Sequence, residues 1–199
     1  SVRARFAYAN RLTTKLSGMP GFVALLRAVN LGPHHKVSMA DLKALAESLG
    51  LKEPRTLLQS GNLVFQSKPS TSAALERLLE GALAKRLGLK TPVLVRSASE
   101  WQETLDANPF KTEAKDDPSH LLVMPLKAKL EKGALGELTK AIVGRERVKA
   151  VGQTLYLVYP DGIGESKLTA ALIEKKLGVS GTARNWNTAQ KIAAALESA

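Results

Sequence analysis

The chain has 199 residues, of which 44% are hydrophobic, and a formal net charge of +11. This length allows one or two domains with a buried core. The absence of Cys excludes disulfides and thiolate metal sites, and three His residues are too few for a structural zinc site. We therefore expect no metal and no cofactor. We also expect no membrane contact, because no apolar run approaches the about 20 residues of a membrane span. A chain without Cys fits a reducing compartment, so we predict a cytoplasmic location.

Part of the positive charge lies at the N-terminus. Residues 1–18 carry Arg3, Arg5, Arg11 and Lys15, no acidic residue and little apolar periodicity. We interpret them as a leader or an expression-derived extension that does not belong to the fold. Subtracting these four charges from +11 leaves +7 for the other residues. That surplus favours an anionic partner, with nucleic acid as one candidate.

Residues 19–96 predict a first unit with the order β-α-β-β-α-β. Its elements are a buried strand at 21–26, a helix at 39–49 capped by Ser38, a hairpin at 55–66 that turns at Gly61, a helix at 72–87 ended by Gly88 and a strand at 91–96. This order is that of the ferredoxin-like, split βαβ unit, whose sheet is antiparallel and carries both helices on one face.

The same pattern of elements returns later in the chain without repeated residue identities. Residues 97–118 predict a connecting helix, capped by Ser99, and a polar linker. Residues 119–199 predict a strand at 119–126, a helix at 132–143, a hairpin at 146–160, a helix at 166–178 capped by Ser166, an extended stretch at 181–184 and a helix at 187–198 capped by Asn187. The predicted fold class is α+β, with two ferredoxin-like (βαββαβ) subdomains in tandem and an extra C-terminal helix.

Polar residues that the fold does not require form three groups. The first is Arg27, Asn30 and Lys36, around a loop that enters a helix. Backbone N–H groups and the helix dipole favour an anion at such a place. The alternative is an ordinary connection, with a Gly32-Pro33 turn and solvated basic residues.

The second group is Gln59, Ser60 and Asn62 at the tip of the first hairpin. Ser, Gly and Asn are also favoured in such turns for backbone reasons alone. In the ferredoxin-like topology this tip and the first loop can lie at opposite ends of the sheet, so the predicted fold does not by itself require a pocket shared with Arg27.

The third group, beside Trp186, is Arg184, Asn185, Asn187 and Lys191. Trp186 can serve as an aromatic anchor and Asn187 as a helix cap, without any role in binding. Outside these groups, Lys167 lies near a predicted helix start, where a cation is unfavourable unless an anion accompanies it.

Catalytic groups are few in this sequence. Ser60 lacks the G-x-S-x-G elbow of hydrolases, and His34 and His35 have no paired carboxylate nearby in the chain. An enzyme that acts on a phosphorylated or nucleotide substrate would have to use these three residues. A further alternative is a protein-interaction module that uses the cleft between the paired halves.

Three stretches of the chain together resemble a bacterial family without an established activity, domain-of-unknown-function family 1697. The stretches are FVALLRAVNLGPHHKVSMADLKALAESLG, RTLLQSGNLVFQS and TARNWNTAQK, in this order within residues 20–195. The family pattern matches Arg27, Asn30, Gly32, Lys36, Met39, Gln59, Ser60, Gly61, Asn62, Arg184, Asn185, Trp186 and Asn187. It differs at Pro33, His34 and His35, where members carry a second Gly and a polar residue. The resemblance implies an α+β protein of two ferredoxin-like halves.

We therefore predict that the protein binds an anionic ligand, either nucleic acid or a phosphorylated small molecule. The predicted site comprises Arg27, Asn30, Lys36, Gln59, Ser60, Asn62, Lys167, Arg184, Asn185, Asn187 and Lys191. RNA recognition by base stacking on the sheet is not expected, because the central strands offer mainly Phe22 and Phe65, which are candidates for the core. The oligomeric state is left open by the sequence.

Overall fold

The computed structural model of the chain describes residues 18–27, 37–58 and 61–198. These residues contain eight strands and seven helices, and the strands form two four-stranded antiparallel sheets. The predicted α+β class with two tandem sheets is thereby confirmed. The predicted leader, up to residue 17, lies outside the described residues. None of the described helices is long and apolar enough to cross a membrane.

The first sheet is built by the N-terminal half of the chain. Its elements are β1 (Gly21–Leu26), α1 (Met39–Ser48), β2 (Lys52–Leu57), β3 (Asn62–Gln66), α2 (Ser72–Leu87) and β4 (Val93–Ser97). The strands lie in the order β2-β3-β1-β4. As predicted, Ser38 caps α1 by accepting a hydrogen bond of 2.9 Å from the backbone N–H of Asp41, and Gly88, with φ at 65°, ends α2.

The second sheet follows in the C-terminal half. The elements are α3 (Ala98–Asp106), α4 (Lys111–Asp116), β5 (Leu121–Pro125), α5 (Ala134–Lys140), β6 (Arg147–Val151), β7 (Thr154–Val158), α6 (Ala170–Leu177), β8 (Arg184–Asn185) and α7 (Trp186–Glu197). The strands lie in the order β6-β7-β5-β8. This sheet therefore repeats the arrangement of the first one, strand for strand.

The predicted cap of α3 is wrong by two residues. Ser97, and not Ser99, accepts the hydrogen bond from the backbone N–H of Glu100, and the Glu100 carboxylate accepts one from the Ser97 N–H at 2.7 Å. A capping box accepts Glu or Gln at the third helical position, so Ser97 with Glu100 and Ser99 with Gln102 both fit the pattern. Ser97 is the cap because its backbone is still extended and the helix begins at the next residue, Ala98.

Two further helix starts also differ from the prediction. Thr169, and not Ser166, caps α6, and the Ser166 hydroxyl instead accepts a local bond from the Leu168 N–H. Asn185, and not Asn187, caps α7 through a bond from the Thr188 N–H. In both helices the cap is the residue that still has extended backbone while its side-chain oxygen reaches an N–H three residues on.

The polar stretch predicted as a linker contains the short helix α4. Asn108 holds its entry: the side-chain oxygen accepts from the Phe110 N–H at 2.9 Å, and the side-chain amide donates to the Phe110 carbonyl at 3.2 Å. The Phe110 side chain is buried. One buried aromatic residue and one side-chain turn thus fix a segment that its polar composition predicted to be a linker.

Both faces of each sheet are covered. On β1, Phe22, Ala24 and Leu26 face the core formed with α1 and α2, whereas Val23 and Leu25 face a second core. This second core also contains residues of α3, α7 and the second sheet. Helices α5 and α6 cover the other face of the second sheet in a third core. A strand buried on both faces needs an unbroken apolar run, and residues 21–26 supply it.

Candidate functional site

Arg184 connects the two sheets through its buried guanidinium. Its Nε donates to the Asn62 side-chain oxygen at 2.6 Å, and its Nη2 donates to the Leu26 carbonyl at 3.0 Å. Its Nη1 donates to the Thr182 hydroxyl at 2.9 Å and to the Ala183 carbonyl at 2.8 Å. Burial lowers the pKa of Arg184 to about 10, so the group still carries its charge at neutral pH.

The end of β1 and the tip of the first hairpin meet at the same end of the sheet. Leu25 pairs with Asn62, and the Leu26 N–H donates to the Gly61 carbonyl at 2.8 Å. This follows from the antiparallel pairing of β1 with β3, because the end of one strand then lies beside the start of the other. The Asn62 amide also donates to the Leu57 carbonyl at 2.9 Å, which braces the hairpin.

Arg27 follows directly on this junction and is partly exposed. Its Nη2 lies 2.7 Å from a carboxylate oxygen of Glu174 in α6, and its side chain is 31% exposed. The ion pair joins the first half of the chain to the second. Arg27, Asn62 and Arg184, one residue from each predicted group, are thus brought to one end of the first sheet. The sequence analysis did not predict Glu174 as the partner of Arg27, because no local pattern distinguishes it from other Glu residues on helices.

Several predicted residues fall outside the described ranges. They are Asn30, Lys36, Gln59 and Ser60 of the predicted binding site, together with His34 and His35 of the enzyme alternative. Their contribution stays a prediction from the sequence.

Lys167 lies away from this junction. With Tyr159 and Glu146 it lines a pocket of about 200 Å³ just beyond the end of β7. Glu174, which holds Arg27, instead accepts a bond from Gly181, and Gly181 bridges to Leu126 beyond the end of β5. Because β5 and β7 are antiparallel, these are opposite ends of the second sheet.

The remaining residues of the third group lie at the start of α7 or within it. The Asn185 side chain is occupied as the helix cap, while Asn187 and Lys191 are exposed on the helix surface. Trp186 is only 6% exposed and lies in the core shared by the two sheets. The interpretation of Trp186 as an aromatic anchor is confirmed.

Carboxylates cap the outward backbone N–H groups of the edge strand β4. The Val93 N–H donates to Glu80 at 2.8 Å, and the Val95 N–H donates to Glu76 at 2.9 Å. Lys127, from the second half, then lies 2.9 Å from Glu76 and 2.6 Å from Glu80. Such caps prevent the edge from pairing with another strand and also tie the two halves together.

A cleft of about 550 Å³ lies between the halves beside this network. Its charged lining residues are Glu76, Arg96, Glu100, Glu103 and Lys127. The Arg96 guanidinium donates to the Leu126 carbonyl at 3.0 Å and lies 3.5 Å from Glu76. Burial lowers the pKa of Arg96, against the opposing effect of Glu76 and then Glu100. With three carboxylates and two committed cations, the cleft is not a basic recess.

A metal site has no basis in the part of the chain that the structure describes. Within it, no group of three or more His, Asp or Glu side chains could hold an ion.

Comparisons with known proteins agree with this fold. The chain is similar to the conserved bacterial protein SP0830 from Streptococcus pneumoniae, with a TM-score of 0.71 and 20% sequence identity over 90% of this chain and 99% of that chain. At this identity the likeness shows the fold alone. No curated protein matches the chain significantly. A family model described as "Protein of unknown function (DUF1697)" matches residues 19–156, which include Arg27 and Asn62. The chain therefore belongs to the DUF1697 family.

Proposed function

We propose that this protein binds an anionic ligand at the end of the first sheet, where Arg27, Asn62 and Arg184 come together. The observation that carries the proposal is the bonding of Arg184, which donates to Asn62 at 2.6 Å and to the carbonyl of Leu26, the residue before Arg27, at 3.0 Å. The net charge of +7 that remains beyond residues 1–18 of the +11 total supports an anionic partner.

The three residues have different roles in this proposal. Arg184 and Asn62 are buried and bonded to each other and to backbone carbonyls, so they position the junction. Arg27 is a partly exposed cation at this junction, and an incoming anion would compete with Glu174 for it. A phosphate group can accept two parallel bonds from a guanidinium, which makes it a strong competitor for a carboxylate.

A phosphorylated small molecule fits this place better than nucleic acid does. Proteins that read single-stranded RNA on a sheet of this kind stack the bases on an open face. Here Phe22 and Phe65 are buried and stack on each other, with ring centroids 5.9 Å apart. The opposite face of the sheet is covered by the shared core around Trp101 and Trp186.

Calorimetric titration with pyrophosphate and with a short single-stranded RNA tests the proposal. Arg27→Gln should weaken pyrophosphate binding about tenfold or more, and Glu174→Gln should strengthen it, because the internal competitor is removed. Lys68→Gln makes the same charge change at an exposed position after β3 and is the matched control. Equal affinities of the parent and Arg27→Gln, or no binding by the parent, would refute the site. Preferential RNA binding with a steep salt dependence would assign the ligand to nucleic acid instead.

We further propose that each half has the ferredoxin-like topology, with units at 19–96 and 119–199 and a connection at 97–118. The support is that both sheets have the same antiparallel strand order, which in each unit is second-third-first-fourth. The cytoplasmic location stays a prediction, as does the enzyme alternative that depends on Ser60, His34 and His35.

A further inference from the structure

A groove runs along the open edge of the second sheet. Its volume is about 630 Å³, and its lining includes Phe110 and Glu113 on one side, Thr139 and Ile142 on the other, and Val148 and Lys149 between them. β6 is the edge strand in the order β6-β7-β5-β8. The groove thus has a strand edge as its floor and walls that belong to the two faces of the sheet.

The backbone of β6 offers hydrogen-bonding groups to this groove. β6 and β7 are joined by a two-residue turn at Gly152 and Gln153, and Val151 pairs with Thr154 on either side of it. Hydrogen-bonded pairs alternate along an antiparallel ladder and begin with the pair that flanks such a turn. The N–H and C=O groups of Val148 and Ala150 therefore point away from β7, in the direction a further strand would occupy.

The two walls differ in chemistry. Arg147 and Lys149 project to the side of Phe110, and their charged groups lie 5.3 Å and 5.1 Å from the centre of its ring. Arg147 is bonded to Glu113, but Lys149 has no salt bridge within the described part of the chain. On the other side, Ile142 and Val148 give the groove an apolar wall.

We infer that this groove binds an extended acidic segment of a partner protein, which adds a strand to β6. Because side chains of a strand alternate between the two faces, the partner should alternate acidic with apolar residues. The acidic residues would meet Lys149, and would compete with Glu113 for Arg147, while the apolar residues would meet Ile142 and Val148.

Charge argues against two other occupants. A second copy of this chain paired through its own β6 would bring Arg147 and Lys149 close to the same cations of the first copy, and like charges on paired strands repel. The N-terminal residues 1–18 carry four basic residues and no acidic one, so they are repelled as well. An acidic segment from another protein is the occupant that complements the edge.

The test uses a fluorescent peptide of about eight residues that alternates Glu and Val, measured by anisotropy. A peptide that alternates Lys and Val should not bind. Two versions of the peptide, N-methylated at the odd or at the even positions, provide a further test. The version whose methyl groups face β6 should not bind, and the version whose methyl groups face away from β6 should bind as the parent peptide does. Binding to both N-methylated peptides, equal binding of the Lys-Val peptide or no binding of the Glu-Val peptide would overturn the inference.

Protein variants locate the binding at this edge. Lys149→Glu should weaken Glu-Val binding about tenfold or more, whereas Lys68→Glu, the same charge reversal in the other half, should leave it within about twofold. Amide NMR signals of residues 146–151 should shift on titration. Unchanged binding by Lys149→Glu, or shifts confined to other elements, would refute the site. Neither result bears on the anion site at Arg27, because pyrophosphate titration reports on that site separately.

Discussion

Arg184 and Asn62 are 122 positions apart in the sequence, yet the Nε of Arg184 donates to the Asn62 side-chain oxygen at 2.6 Å. The same guanidinium reaches the carbonyl of Leu26 at the end of β1. One side chain from the last strand therefore fixes the end of the first strand against the hairpin of the first sheet. The proposed anion site depends on this contact, because Arg27 follows Leu26 directly.

Replacing Arg184 tests how much this contact stabilises the fold. Arg184→Met keeps much of the apolar stem but removes the donors to Asn62 and to the Leu26 carbonyl. We expect the free energy of unfolding, measured in urea, to fall by about 2–5 kcal/mol. Arg184→Lys should recover little of the lost stability, because a single ammonium group cannot reproduce the several donors of the planar guanidinium. The control is Arg77→Met, on the exposed surface of α2. A loss for Arg184→Met as small as that of the control would contradict the assigned role.

Gly181 and Gly81 form a matched pair of glycines. A Cβ on Gly181 would lie 2.8 Å from the Pro125 carbonyl oxygen and 2.9 Å from a methyl group of Leu126, closer than real contacts allow. Gly181→Ala should therefore destabilise by about 1–3 kcal/mol. Gly81 lies in the interior of α2 with nothing within 4 Å, so Gly81→Ala should stabilise by about 0.5–1 kcal/mol. Thermal unfolding followed by circular dichroism measures the stability change of each variant. Equal changes for the two variants would contradict the close packing around Gly181.

Glu76 links β4 to the second half through Lys127. Glu76→Ala removes the acceptor of the Val95 N–H and leaves Arg96 and Lys127 without this carboxylate. Because the group is buried, we expect a loss of about 3–5 kcal/mol in urea unfolding. The control is Glu137→Ala, which breaks a pair with Lys140 on the surface of α5. We expect no measurable change there, since exposed pairs contribute little. Similar losses of stability for both variants would show that the Glu76 network at β4 stabilises the fold no more than an exposed ion pair does.

The buried phenol of Tyr156 should make the stability of the fold depend on pH in the alkaline range. Burial raises the pKa of Tyr156 from its ordinary value of 10.0 to about 12. Between these values the unfolded chain releases the phenolic proton while the folded chain keeps it. The unfolded state then binds fewer protons, so stability is complete below pH of about 10 and falls as the pH rises towards about 12.

The variant Tyr156→Phe isolates the contribution of the Tyr156 phenol to the pH dependence of the unfolding free energy. It should have a shallower decline of unfolding free energy with pH above about 10, measured by denaturant titrations at several pH values. It should also lose some stability at neutral pH, because the Tyr156 hydroxyl donates to the Thr104 carbonyl at 2.6 Å. Parallel pH profiles of the variant and the parent would contradict the raised pKa. Other titrating groups cancel in this comparison.

Local signals in the sequence predicted the end of a helix correctly where that end depends only on residues of the same segment. Ser38 with Asp41 marks the start of α1, and Gly88 marks the end of α2. They were insufficient where two candidates compete: Ser97 with Glu100 and Ser99 with Gln102 both fit a capping box, and the start of α3 directly after β4 selects Ser97. The sequence analysis did not single out Arg147 and Lys149, because their significance depends on β6 being an edge strand.

The sequence by itself determined the α+β class, the groups of polar residues that the fold does not require and the order of helices and strands, apart from the short helix α4. Hydrophobic periodicity and caps are properties of neighbouring residues, so they can be read along the chain. Only the tertiary structure decided that Arg27 pairs with Glu174, that Arg184 bonds to Asn62 and that α3 and α7 lie between the sheets. Those contacts join residues far apart in sequence. Burial selects the partners of Arg184, because a desolvated guanidinium requires bonds within the folded molecule, whereas the packing of the two halves brings Glu174 to the partly exposed Arg27.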